Sequence, residues 1–298
     1  MTDSLLAEPL ELPRAEADGG PCQLLVSVRD AAEAALVHRL GVRWIDLKDP
    51  DSGSLGAASP AVAQAVCQVL QSAEAARRGA PLAPPPAGHS PAGHSPENHL
   101  PPSLAHALWP LVTSAAAGEL QLTPHAVAQQ LAGYFPLIKV GLAGMATEPQ
   151  WRESWEELAR QVHGKGAATV AVIYADGAAC DAPTPLQVMQ AIDALQSTSG
   201  GSLLAPFVLI DTYFKNGRGL FDWLTLAQLS QIAHWAAQRG KRLVLAGSLS
   251  AADRPGWQAL RPAGIAALAV RGAVCAGDRR GRLCPDKVHQ WLQRVQST

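Results

Sequence analysis

The chain has 298 residues, long for an ordinary domain but normal for one (β/α)8 barrel. Its formal net charge is −1 and neither sign gathers in a block, so nothing favours a nucleic-acid or other polyanionic partner. Hydrophobic residues make up 48%, enough for a large core, yet no apolar run reaches the roughly 18 residues that span a bilayer.

The leader, MTDSLLAEPLELPRAEADGG, carries acids and prolines where a signal peptide has a basic and then an apolar stretch. Residues 1–21 are expected to be flexible and the protein cytoplasmic. Residues 22–298 are expected to form one catalytic domain. QLLVSV (23–28) reads as a buried strand, and Asp30 is placed to cap the helix AAEAALVHRL. RWIDLKD is the next strand, and Ser59-Pro60 starts a helix through Val69. WPLVTSAA (109–116) is strand-like, followed by a helix over 123–132. PLIKVG is a strand, with a helix near 148–162. ATVAVIYAD is followed by a helix over 185–195, and FVLID by one over 225–239. RLVLAGS precedes a helix over 251–260. IAALAVRG is the last strand, and Pro285 starts the last helix. Short apolar runs alternating with helical patterns imply parallel βαβ units. Eight of each match a closed (β/α)8 TIM barrel. An open doubly wound sheet is the other arrangement, but the GxGxxG turn that would support it after the first strand is absent.

One stretch breaks the rhythm. RRGAPLAPPPAGHSPAGHSPENHLPP, within residues 77–104, is rich in proline and poor in apolar residues, so it is expected to be a flexible insertion. His89, His94 and His99 recur every five residues, a spacing that fits no helical face and no ligand pattern, and no metal is expected. Cys22, Cys67, Cys180, Cys275 and Cys284 are odd in number and form no CxxC pair, as reduced thiols would. Trp151, Trp155, Trp235, Trp257 and Trp291 fall on helices as packing residues. His38, His163, His234 and His289 lie in or beside helices, away from strand ends.

A (β/α)8 barrel collects its chemistry at the carboxyl-terminal ends of its strands. RWIDLKDP supplies Asp46 and Lys48 there, two apart and therefore on one face. PLIKVG supplies Lys139, ATVAVIYAD supplies Asp176, and FVLIDTYFK supplies Asp211 with Lys215 just beyond. The chain has only six lysines against eighteen arginines, and three of the six fall at these ends. Arginine stays protonated, whereas a crowded lysine can lose its proton and attack a carbonyl. The plainer alternative is a set of structural ion pairs at the barrel mouth. The last two strands end in LAGSL (Gly247, Ser248) and VRGAV (Arg271, Gly272, Ala273), where barrels often bind a substrate phosphate. Arg271 could instead pair with a barrel carboxylate, and Arg279 and Arg280 are the next basic residues to consider. DSGSLGA has the outline of a GxSxG elbow, but no Asp and His partners accompany it, so it reads as a substrate-cradling loop.

Together, "VSVRD", "IDLKDPDSGSLGA", "TSAAAGEL", "IKVGLAG", "YAD", "LIDTYFKNGRGLFDW", "LAGSL" and "VRGAVC" resemble the (5-formylfuran-3-yl)methyl phosphate synthases of methanofuran biosynthesis, in family order over about residues 24–293. The resemblance implies a lyase that condenses two molecules of glyceraldehyde 3-phosphate with loss of phosphate and water. Carried over by position, Lys48 matches the Schiff-base lysine and Lys215 the acid–base lysine. Asp46, Lys139 and Asp211 match supporting charged residues, and Ser27 of VSVRD joins the substrate-binding set. It implies no cofactor. The expected partners are the triose phosphate and further copies of the chain as a homo-oligomer, with no nucleic acid and no membrane. The leader and the Pro/His-rich insertion depart from the family's compact pattern. Three other readings stay open: a Schiff-base sugar-phosphate aldolase, a phosphosugar isomerase without a covalent step, and a non-catalytic phosphometabolite-binding protein.

Overall fold

The computed structural model describes residues 22–79, 111–121, 125–199 and 203–296. The expected leader, the three histidines and most of the expected insertion lie outside these residues.

Eight parallel strands close into a barrel in the order β1 to β8. They are β1 (Gln23–Val28), β2 (Trp44–Leu47), β3 (Val112–Glu119), β4 (Leu137–Gly141), β5 (Ala168–Tyr174), β6 (Leu204–Asp211), β7 (Arg242–Leu245) and β8 (Ile265–Val270). Each is followed by its helix: α1 (Ala31–Arg39), α2 (Pro60–Gly79), α3 (His125–Ala132), α4 (Trp151–His163), α5 (Pro185–Ser199), α6 (Leu226–Ala237), α7 (Arg254–Leu260) and α8 (Pro285–Gln296). The apolar runs are strands because both faces are covered, as parallel sheets require. One face packs under the helices, with Val26, Ile45, Leu47, Ile138, Ile173 and Leu243 meeting Leu131, Trp155, Leu158, Ile192 and Trp291. The other fills the barrel interior, where Leu25, Trp44, Val112, Leu137, Val170, Phe207 and Val244 plug the amino-terminal half. Trp44 and Phe207 meet there edge to face at 4.8 Å. The plug leaves inward positions at the other end free for polar groups. Helix starts follow local chemistry: the Asp30 carboxylate accepts the N–H of Glu33, and Thr225 forms a capping box with Gln228.

Several boundaries depart from expectation, and two are informative. α2 runs to Gly79 instead of stopping near Val69, so it takes residues 77–79 from the expected insertion. Its final turns are alanine-rich and are held by ions. Buried Glu74 lies 2.7 Å from His38 Nε2, 2.7 Å from Arg43 Nη1 and 3.1 Å from Arg77 Nη2. This cluster ties the end of α2 to α1 and to the entry of β2. β3 begins at Val112 and continues to Glu119. Its small AAAG run has little strand propensity of its own, and the ladder to β4, with Glu119 opposite Gly141, carries it on. All five cysteines are free. Among the described residues, no helix is long and apolar enough to cross a membrane.

Candidate active site

A cavity of about 310 Å3 opens at the carboxyl-terminal rim. All eleven expected site residues line it: Asp46, Lys48, Lys139, Asp211 and Lys215, together with Ser27, Gly247, Ser248, Arg271, Gly272 and Ala273.

The acids and lysines sort into two ion pairs and one lone amine. The Asp46 carboxylate faces inward from β2, 1% exposed. It lies 2.7 Å from Lys139 Nζ and accepts hydrogen bonds from Ser114 Oγ at 2.7 Å and Ser27 Oγ at 3.2 Å. Ser27, Asp46 and Ser114 are register partners on β1, β2 and β3, so one layer of the barrel supplies the acid and both hydroxyls. Asp211 ends β6. Its Oδ1 accepts from Lys215 Nζ at 2.8 Å, and Lys215 also donates to Thr212 O at 2.5 Å and Thr212 Oγ1 at 3.2 Å. Burial raises the Asp211 carboxyl, but Lys215 and then Lys48 carry it below its ordinary value.

Lys48 is different. Among the described residues no carboxylate lies within ion-pair distance of its amine, and its hydrogen-bond partner is Ser54 O at 3.4 Å. Burial lowers its pKa to about 8; Lys215 and Lys139 push the same way, and Asp211 and Asp46 oppose. The cavity therefore holds one amine that is readily neutral, between two cations already engaged by acids.

The loop after β2 forms the wall behind this amine. Buried Ser54 donates to Thr212 O at 2.9 Å, joining the DSGSLGA segment to the Lys215 loop. The loop after β6 is held by Asp176, whose two oxygens accept the N–H groups of Tyr213 and Phe214 at 2.7 and 2.8 Å. Asp176 does not line the cavity; it positions the segment that carries Lys215.

The opposite side is built from the strand ends β7 and β8. Gly247 is left-handed, with φ +95°, and a Cβ there would come within 2.9 Å of Thr212 Cγ2. Ser248 is left-handed without being glycine, φ +51°, a strained conformation of the kind that gathers at functional sites. Arg271 lines the cavity with its guanidinium engaged by protein groups. Its Nη1 donates to Glu33 Oε2 at 2.8 Å and to Ser27 O at 2.9 Å, its Nε to Arg279 O at 2.7 Å, and its Nη2 to Gly281 O at 3.3 Å and Glu33 Oε1 at 3.5 Å. All five N–H groups are engaged, so this guanidinium clamps β8, α1 and the following loop together.

Sequence reasoning missed Ser54, Ser114, Thr212 and Glu119. Buried Glu119, at the end of β3, accepts from Tyr174 Oη at 2.6 Å and from Ala143 N at 3.0 Å. Burial raises its carboxyl, and the two hydrogen bonds oppose that. It faces a neighbouring cavity of about 220 Å3, lined also by Ser52 to Leu55 and Tyr213. The signal available was the register. Ser114 lies on the inward face with Ala116, and Glu119 is an acid at a strand end once β3 is extended.

The profile of the 4-HFC-P synthase family matches residues 24–292. The chain is 28% identical over 264 residues to the (5-formylfuran-3-yl)methyl phosphate synthase of Methanopyrus kandleri, covering 86% of this chain and 91% of that one. It is 28% identical to the synthase of the same name from Methanococcus maripaludis, covering 90% and 96%. Among solved structures, a beta-mannanase from Streptomyces thermolilacinus superposes with a TM-score of 0.52 at 14% identity, covering 92% of this chain and 88% of that one. That likeness is one of fold.

Proposed function

Because the chain belongs to the 4-HFC-P synthase family, we propose that it condenses two molecules of glyceraldehyde 3-phosphate to (5-formylfuran-3-yl)methyl phosphate through an imine on Lys48, in methanofuran biosynthesis. The observation that carries this reading is the state of Lys48: a buried amine with a pKa of about 8, open to the cavity and, among the described residues, outside ion-pair distance of any carboxylate. Joining two trioses needs an electron sink, and an imine supplies one. Lys48 attacks the carbonyl of the first triose, and water leaves as the imine forms. Loss of a proton from the adjacent carbon gives the enamine, which attacks the aldehyde of the second. Ring closure, dehydration and loss of phosphate then require repeated proton transfers. Lys215 with Asp211, and Lys139 with Asp46, are placed to make them.

The test is to incubate the purified protein with glyceraldehyde 3-phosphate alone and follow free phosphate and furan absorbance. Borohydride added during turnover should fix substrate mass on Lys48. An acyclic sugar phosphate with no phosphate release would make the protein a Schiff-base aldolase. Turnover without trapped mass would leave an acid–base isomerase. Substrate binding without turnover would leave a phosphometabolite-binding protein.

A further inference from the structure

Among the described residues that line the cavity, one cation has neither a part in this chemistry nor an acid to hold it. Lys139 and Lys215 are held by Asp46 and Asp211, Arg271 by Glu33 and three backbone carbonyls, and Lys48 is reserved for the imine. Arg279, in the loop after β8, is half-buried and lines the same cavity. Among the described residues no carboxylate pairs with it, and its guanidinium makes one hydrogen bond, from Nη2 to Gly53 O at 2.8 Å. Burial lowers its pKa; Asp211 opposes that, Arg271 and Arg280 add to it, and Asp51 opposes it. An arginine with spare donors, other cations nearby and no acid of its own is placed for an anion from solution.

We propose that Arg279 is the residue that grips the substrate phosphate, as a two-pronged donor, at the side of the cavity built by Gly247, Ser248, Gly272 and Ala273. This rests on the reading above for the identity of the substrate, but the anion site stands on its own geometry. Gripping the phosphate takes Nη2 from Gly53 O. The same short loop carries Ser54, whose carbonyl accepts from Lys48 Nζ and whose hydroxyl holds Thr212 O. Phosphate capture is thereby linked to the surroundings of the reactive amine. The exposed Arg280–Asp51 pair, at 3.0 Å, still joins the two loops when Arg279 turns away.

The test uses Arg279→Gln and Arg279→Lys in the full chain. Inorganic phosphate should raise the melting temperature of the wild type, and Arg279→Gln should lose that shift. With glyceraldehyde 3-phosphate, KM for Arg279→Gln should rise about tenfold or more, with Arg279→Lys in between because it keeps charge but not the fork. Borohydride added with unphosphorylated glyceraldehyde to the wild type reads imine formation at Lys48 apart from phosphate binding. If Arg279→Gln keeps both the phosphate shift and the wild-type KM, the proposal is wrong. If Arg279→Gln does not fold, equal phosphate shifts in Arg279→Lys and wild type would overturn it instead. If the wild type traps no aldehyde on Lys48 yet shows a phosphate shift that Arg279→Gln loses, the imine reading fails and the anion site survives.

Discussion

At the two ends of the barrel stand two buried lysines. Lys48 follows β2 on the carboxyl-terminal rim, and Lys241 precedes β7 on the amino-terminal rim. They are 8% and 4% exposed, and burial lowers both to a pKa of about 8. Lys241 donates to Ala205 O at 2.9 Å, beneath the apolar plug, and lines none of the cavities described above. Lys48 has a 310 Å3 cavity before it, an acid–lysine pair on either side, and only a 3.4 Å hydrogen bond to leave behind. A lowered pKa is a consequence of burial and does not mark a nucleophile. What separates the two is the open cavity before Lys48 and the acid–lysine pairs beside it.

The sharpest way to break this contrast is to replace each in turn. Lys48→Arg should lower turnover by about a thousandfold or more with the fold intact, since arginine forms no imine. Lys241→Met should leave turnover within about twofold. Furan absorbance and free phosphate read both, and comparable losses in the two variants would erase the distinction drawn here.

Making the surroundings of Lys48 more like those of Lys241 should have the next largest effect. Asp46→Asn removes a carboxylate that raises the Lys48 pKa and frees the Lys139 cation that lowers it. Turnover should fall about a hundredfold. In the wild type, the rate of borohydride trapping at Lys48 should climb about tenfold per pH unit and level off near pH 8. In Asp46→Asn the plateau should begin at lower pH, and a plateau unmoved or shifted upward would count against the electrostatic account.

Lys241 allows a smaller measurement, of stability. Its folded pKa is about 8 against an ordinary 10.5. Between those values the unfolded chain holds a proton that the folded chain has released, so stability rises with pH across this window. Below pH 8 both states are protonated, and the fold bears the cost of a buried charge. Lys241→Met should therefore be more stable by about 1–2 kcal/mol at pH 7, with a flatter rise between pH 8 and 10 in urea titrations. The smallest effect is expected from replacing residues 80–101 with a Gly/Ser linker. The chain leaves α2 and enters β3 on the rim away from Lys48, so kcat should stay within about twofold. A tenfold loss with the fold intact would connect that segment to the site.

The parts legible in the sequence were those with a local signature. Strands such as FVLID and TVAVI are continuous apolar runs, and an acid or lysine at the end of such a run is conspicuous. The five expected acids and lysines reach the cavity for that reason. The rest depends on contacts between distant segments. Nothing near Arg271 announces that Glu33, 238 positions earlier, occupies its guanidinium. Glu119 stayed hidden because alanines and glycine precede it, and only pairing with β4 extends the strand that far. The left-handed Ser248 has no marker in a sequence at all, whereas Gly247 is explained by the approach of Thr212.

The ion cluster around Glu74 has a use in protein engineering. It fastens the last turns of α2 to α1 and to the approach to β2, with contacts completed by Arg77, before the chain passes Gly79. The ion pairs that hold that helix end all lie before Gly79. The junction is therefore a natural splice point, where new termini for a circular permutant or a fused reporter domain can be introduced on the rim away from the cavity.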